Sequence, residues 1–227
     1  MPRTLNPRTH AVRRDAFLDA AERLIRTRGY DAMSIQDVLD ELDASKGAFY
    51  HYFGSKEALL EAVIDRMTDA ALAVVAPIVD DPRLPAGAKL QAVFSTAGAW
   101  KTERSDLLLA LLRSWYGPEN DLVRLRVARA GAARLTPLFA RIVRQGVAEG
   151  SFDPSSPDDS AVILVAIFAG SGDVLARLLL DRLDGRIPFE AAERRVDAYE
   201  EAIERILGLP AGSFVLVDSH AMHVWFA

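Results

Sequence analysis

Residues 34–56, SIQDVLDELDASKGAFYHYFGSK, decide how this chain is read. Ser34 precedes an apolar pattern of Ile35, Val38, Leu39 and Leu42, and Asp37 follows three positions on, a variant of the capping box that opens a helix. Asp43-Ala44 make a turn, and Ser45 can cap a second, short helix whose apolar side is Phe49 and Phe53. Gly54 ends it, and Ser55 caps a further helix. The short helix carries Lys46, Tyr50, His51 and Tyr52 around Phe49, which makes a poor core element and a surface suited to a nucleic-acid groove.

Outward from that stretch the period stays helical. Phe17, Ala20, Ala21, Leu24 and Ile25 follow the i, i+3, i+4 pattern, so residues 13–28 form an amphipathic helix ended by Gly29. The helix capped by Ser55 runs to about Ala76, where Pro77 begins the punctuation. Further helices are predicted over 86–101, 104–116, 119–149, 158–182 and 189–207, separated by Pro82, Pro85, Gly117-Pro118 and the stretch from Gly150 to Pro157. Pro137 should kink or split the 119–149 segment. No strand alternation precedes the last dozen residues, so the expected fold is all-α. A three-helix head over 1–57 is followed by a larger helical body over 58–227.

Composition bounds the function. The 227 residues can bury a large core, and with no cysteine there are no disulfides or thiolate metal sites. The N-terminus lacks the apolar region of a signal peptide. The longest apolar run, Ala161–Gly172, is too short for a bilayer and reads as a buried helix covered all round, so a cytoplasmic protein with no membrane partner is expected. The net charge of −5 is unevenly placed: residues 1–57 hold nine basic and nine acidic side chains, with Arg3, Arg8, Arg13 and Arg14 and no acid in the first fourteen. A basic tip on an acidic body suits local phosphate contact and limits non-specific adhesion to DNA, although residues 1–10 fit a solvated tail equally well.

Residues 13–67 resemble the N-terminal domain of the tetracycline-repressor (TetR) family of transcriptional regulators. The match is carried by SKGAFYHYFGSKEAL over residues 45–59, placed after two helices of the right length. The resemblance implies a DNA-binding helix-turn-helix in which Ser34, Lys46, Gly47, Ala48, Tyr50, His51, Tyr52 and Lys56 meet DNA. Those residue types fit such a role. Gly47 permits close approach, the lysines, tyrosines and histidine offer donors and flat faces, and the Ala48 methyl can meet a thymine methyl. Lys56 lies in a first helical turn, where free amides already favour a phosphate. Three positions depart from the family pattern: Asp43 stands where glycine is usual, Ala44 replaces a larger apolar residue, and Ala48 replaces a hydroxyl residue.

The resemblance further implies that the body binds a small effector and forms a homodimer, so that a ligand releases a repressor from its operator. Phe94, Trp100, Arg113, Trp115, Tyr116, Phe139 and Phe168 are the ligand-binding candidates, with Arg113 as an anion anchor, and their bulk suggests an apolar or aromatic effector. The dimer is expected through the helices at about 158–182 and 189–207, where Phe189, Ala192, Val196, Tyr199, Ile203 and Ile206 form a narrow seam. Simple packing of both helices inside one subunit is the alternative. In the apolar tail 214–226, Asp218, His220 and His223 match no strong metal spacing, so no metal or cofactor is expected. No nucleophile elbow, HExxH, P-loop or dinucleotide fingerprint supports an enzyme. A helical scaffold or co-regulator acting through protein partners is the competing class.

Overall fold

The computed structural model describes residues 7–117 and 120–226, with side chains from His10 onward. Arg3 and the side chain of Arg8, expected in a basic arm, lie outside the described residues. Ten helices and no strand occur among the described residues: α1 (Pro7–Arg28), α2 (Ile35–Glu41), α3 (Lys46–Tyr50), α4 (Lys56–Asp80), α5 (Ala86–Thr102), α6 (Ser105–Trp115), α7 (Asp121–Glu149), α8 (Pro157–Leu183), α9 (Phe189–Leu207) and α10 (Ser219–Phe226).

The chain divides into two compact units. The first comprises Met1–Thr68 with Asp106–Val127, and the second Asp69–Ser105 with Ala128–Ala227. α4 and α7 are covalently continuous through the division.

In the first unit the α1 stripe is buried as its spacing requires: Phe17 is 1 % exposed, and Ala20, Ala21 and Ile25 are at 0 %. Val38 and Leu39 of α2 close against it, and Phe49 and Phe53 complete the core. The Phe17 ring meets Phe49 at 5.8 Å and Phe53 at 6.1 Å, both edge to face, the arrangement aromatic quadrupoles favour.

The core of the second unit gathers Leu90 and Val93 of α5, Phe139 and Val143 of α7, Leu164 of α8 and Ile203 of α9. Two polar ties fix neighbouring helix ends. Buried Lys89 donates to the Val79 carbonyl (2.7 Å), and the Glu149 carboxylate accepts the Ala86 amide (2.9 Å). These satisfy terminal groups of α4 and α5 that have no partner inside their own helices. Gly146 of α7 is required by contact: a Cβ there would lie 2.1 Å from the Phe152 ring.

Four expectations are corrected. α1 begins at Pro7, six residues before the expected start at Arg13. α4 continues through Pro77 to Asp80, because Val75 and Val79, each 3 % exposed, bury on either side of the proline and offset one lost hydrogen bond. α7 is not split at Pro137; one helix runs from Asp121 to Glu149. The Ala161–Gly172 run is not covered all round. Ala161, Leu164 and Val165 are buried, while Val162 (54 %) and Ile163 (50 %) are exposed, with Ala166, Ala169 and Gly170 along the same outer side. α8 has the length and composition to cross a bilayer, the one described helix that does, with 22 % of its most apolar window buried.

The tail ends as α10, which contacts α5, α8 and α9. Its polar residues have local work. Asp218 caps it by accepting the Ala221 amide (2.8 Å), and His223 Nδ1 lies 2.8 Å from the Ser219 carbonyl.

Candidate nucleic-acid interface

Each side of α3 has a separate duty. Phe49 is fully buried at 0 % and ties the helix to the core. Lys46, Gly47, Tyr50 and His51 are exposed, Tyr50 at 55 %. Ser45 caps the helix, its hydroxyl accepting the Ala48 amide at 3.2 Å. That leaves Ala48 half-buried, with its methyl only partly presented. Tyr52 is half-buried against Phe17 (5.7 Å) and His10 (4.6 Å), so it serves the core as well as the surface.

The turn before α3 is held by Asp43 at φ +47°, the one non-glycine residue with positive φ among the described residues. This is the left-handed conformation that the usual glycine would adopt freely, and Asp reaches it more readily than most residues. Beside it, Ala44 and Leu42 line an open cleft of about 420 Å³ with Val12, Ala16 and Phe17. A larger side chain at position 44 would occupy part of that space.

Gly47 gives the most specific clue. A Cβ at that position would meet only the Ser45 hydroxyl, at an ordinary 3.9 Å, and φ is not positive. Nothing among the described residues requires glycine there, and the position is open to a close approach from outside.

Two further helix starts carry the remaining candidates, Ser34 and Lys56. At α2 the exposed Ser34 hydroxyl accepts the Asp37 amide (3.1 Å) and donates to the Asp37 carboxylate (2.5 Å), which also accepts the Ser34 amide (2.8 Å). These Ser34 bonds, and then the nearby Arg28, hold the Asp37 carboxyl below its ordinary value. At α4, Ser55 caps by accepting the Ala58 amide. Lys56 is half-buried, its ammonium 4.3 Å from the Tyr30 ring centre and 3.3 Å from the Asp31 carbonyl. It is held at the start of α4 by bonds the local sequence could not show.

Charge supports the same surface. Arg23 pairs with Glu41, Arg28 with Asp37, and Arg66 with both Asp19 and Glu22, so these four acids carry their own counter-charges. Among the described residues no ion pair occupies Lys46. Two further contacts escaped sequence reasoning. His10 packs on the His51 ring (5.4 Å) as well as on Tyr52, and the Arg14 guanidinium lies 5.6 Å from the Phe53 ring centre. Both join α1 to residues about forty positions away, a distance over which helical periodicity carries no information.

The seven effector candidates fall into two groups. Phe94, Phe139 and Phe168 meet in the second unit, with Phe94 4.3 Å from Phe168 and 5.9 Å from Phe139. Trp100, also in that unit, is instead covered by the Arg104 guanidinium at 4.3 Å. Arg113, Trp115 and Tyr116 belong to the first unit, where Arg124 lies over Tyr116 (5.0 Å) and donates to the Trp115 carbonyl.

A short helix anchored by one buried ring, offset from its predecessor by a tight turn and presenting lysine, glycine, tyrosine and histidine outward, defines a helix-turn-helix DNA-binding protein. The profile of bacterial regulatory proteins of the tetR family matches residues 17–63, which holds all three helices of this head except the beginning of α1. The transcriptional repressor KstR2 of Mycolicibacterium smegmatis is 27 % identical over 65 % of this chain and 71 % of its own. The repressor NemR of Escherichia coli is 37 % identical over 27 % of this chain and 31 % of its own. A TetR/AcrR-family regulator from Thermobifida fusca superposes with a TM-score of 0.53 at 26 % identity, covering 69 % of this chain and 82 % of that one. Residues 17–63 therefore carry the DNA-binding domain of the TetR family of transcriptional regulators.

Proposed function

We propose that this regulator is a cytoplasmic repressor that docks as a homodimer on a two-fold operator and is released by a small molecule. The observation that carries the reading is the divided α3, with Phe49 buried and Lys46, Gly47, Tyr50 and His51 open. Lys46, Gly47, Ala48, Tyr50, His51 and Tyr52 meet bases and phosphates in the major groove, while Ser34 and Lys56 hold phosphates at the starts of α2 and α4. Several relatives that match the chain, among them KstR2, DhaR and NemR, are repressors by name, while others are named only as regulators; the repressors support the sign of regulation.

The homodimer uses the outer side of α8. α9 turns its seam inward, burying Ala192, Val196 and Ile203 within its own chain, and so leaves α8 with the larger uncovered apolar side. A second copy covers Val162, Ile163 and Ala166 better than lipid does, since Asp173 and Arg177 pair on the same helix. The effector site is the ring cluster Phe94–Phe139–Phe168, which draws on α5, α7 and α8 and suits an apolar or aromatic ligand. Ligand there alters the separation of the two α3 helices, which must match half-sites about 34–36 Å apart.

Selection of bound sites from random DNA tests the reading. A palindrome with one half-site spacing is the expected result. Recovery of no consensus, from protein shown to be folded, would favour the scaffold or co-regulator class.

A further inference from the structure

We propose that Phe214 is a built-in occupant of the effector site, and that a neutral aryl ligand carrying a hydroxyl or amino donor binds by taking its place. The inference rests on the reading of the Phe94–Phe139–Phe168 cluster as that site. Phe214 belongs to the non-helical strap between α9 and α10, residues 208–218. Its ring stands edge-on to Phe94 at 5.2 Å and is 2 % exposed, while Val215 beside it is 41 % exposed. The strap thus inserts one ring and keeps the next side chain outside.

The strap is fastened by side chains rather than by regular backbone pairing. Three successive amides donate outward: Phe214 to the Glu204 carboxylate (3.0 Å), Val215 to the Gln91 side-chain carbonyl (3.0 Å), and Leu216 to the Glu200 carboxylate (2.7 Å). The Gln91 amide returns a bond to the Val215 carbonyl (3.0 Å). A segment held this way opens without unwinding a helix, and such segments are drawn from the least stable parts of a fold. Phe94 and Phe168 are only half-buried, so the cluster can be reached from solvent.

The same bonds define the ligand. When the strap leaves, the Glu204 carboxylate, on a residue 5 % exposed, loses the Phe214 amide. A buried acceptor without a donor is costly, so the ligand must bring one. The nearby Glu200 carboxylate disfavours an anion, and burial already raises its pKa. An aryl ring fills the space of Phe214, and an attached hydroxyl or amine replaces its N–H.

The test titrates full-length wild type, Gln91→Ala and Phe214→Ala with 2-naphthol and with 2-methoxynaphthalene, which lacks the donor. Ligand fluorescence reads the binding, and amide hydrogen exchange follows residues 214–216. Gln91→Ala loosens the strap without touching the rings and should bind 2-naphthol on the order of tenfold tighter than wild type, because it removes the cost of opening. Phe214→Ala should do the same, 2-methoxynaphthalene should bind more weakly throughout, and saturating 2-naphthol should speed exchange at 214–216 in wild type. Equal affinity in wild type and Gln91→Ala, with exchange unchanged on binding, would overturn the inference and leave the ring cluster standing as a ligand site. Absence of binding in wild type and both variants would overturn both. Should Phe214→Ala fail to fold, wild type and Gln91→Ala decide the matter.

Discussion

Gly47 and Asp43 are neighbours in the same motif with opposite reasons for their identity. A Cβ at Gly47 would meet only the Ser45 hydroxyl at an ordinary distance, so Gly47→Ala should leave the melting temperature unchanged or slightly higher, alanine being the better helix former by up to about 1 kcal/mol. Operator affinity should nevertheless fall on the order of tenfold, the scale of one lost specific contact. Circular dichroism and a gel-shift titration separate the two effects, and unchanged DNA binding would count against the outward approach. Asp43 is determined from within, by its φ of +47°. Asp43→Gly should raise stability by about 0.5–1 kcal/mol, the relief of a left-handed side chain less the extra entropy of an unfolded glycine. Chemical denaturation reads that change. A loss of stability would show that the aspartate side chain contributes something the turn needs.

Helix ends and helix contacts respond to different probes. The α2 cap is an acid-labile device. Asp37 is held below its ordinary pKa by Ser34, then Arg28, so its contribution is present above the unfolded value and lost as pH falls through the depressed folded value. The difference in melting temperature between wild type and Asp37→Asn should therefore be steady from neutral pH down to about pH 5 and shrink below about pH 4. A difference that persists into stronger acid would remove the ionised carboxylate as its cause. In α7 the constraint is steric. Gly146→Ala drives a methyl into the Phe152 ring and should cost about 1–3 kcal/mol, as overpacked cores do. Denaturation of that variant without loss would mean that Phe152 turns aside freely. These two cases also show what the sequence discloses. Ser34, Ser45 and Ser55 announce their helices because a cap is satisfied within three residues, and all three act as caps. Gly146 reads as an ordinary helix glycine until Phe152 folds back on it. Pro77 and Pro137 read as breaks because the packing that carries a helix past them is tertiary. The division of α3 into a buried Phe49 and an exposed face was legible from local pattern, whereas the fastening of Lys56 to Tyr30 and Asp31 was not, since those groups come from another segment. The meeting of Phe94, Phe139 and Phe168 was visible only as composition.

For the whole molecule, the proposed homodimer would link assembly to stability through α8. An outer side with Val162 and Ile163 half exposed is a poor terminus for a single chain in water, and its burial in a second copy would make folding and association interdependent. The wild-type melting temperature should rise with protein concentration. Ile163→Glu should sediment as a monomer, lose that dependence, and bind a full operator roughly a hundredfold more weakly through loss of the linked second contact, with half-site binding kept. Dimeric sedimentation of Ile163→Glu would move the interface elsewhere. The separation of duties within α3 has a consequence on a longer timescale. In the proposed readout, the core holds that helix by the buried Phe49 and leaves Lys46 and Gly47 exposed, so mutation at those two positions would rewrite the recognised DNA word with little threat to the scaffold, whereas Tyr50 and His51 also touch Phe49 and His10. Tyr52, shared with Phe17 and His10, is the letter least free to drift. Duplicated copies of such a gene could acquire new operators one substitution at a time, each intermediate still a folded protein.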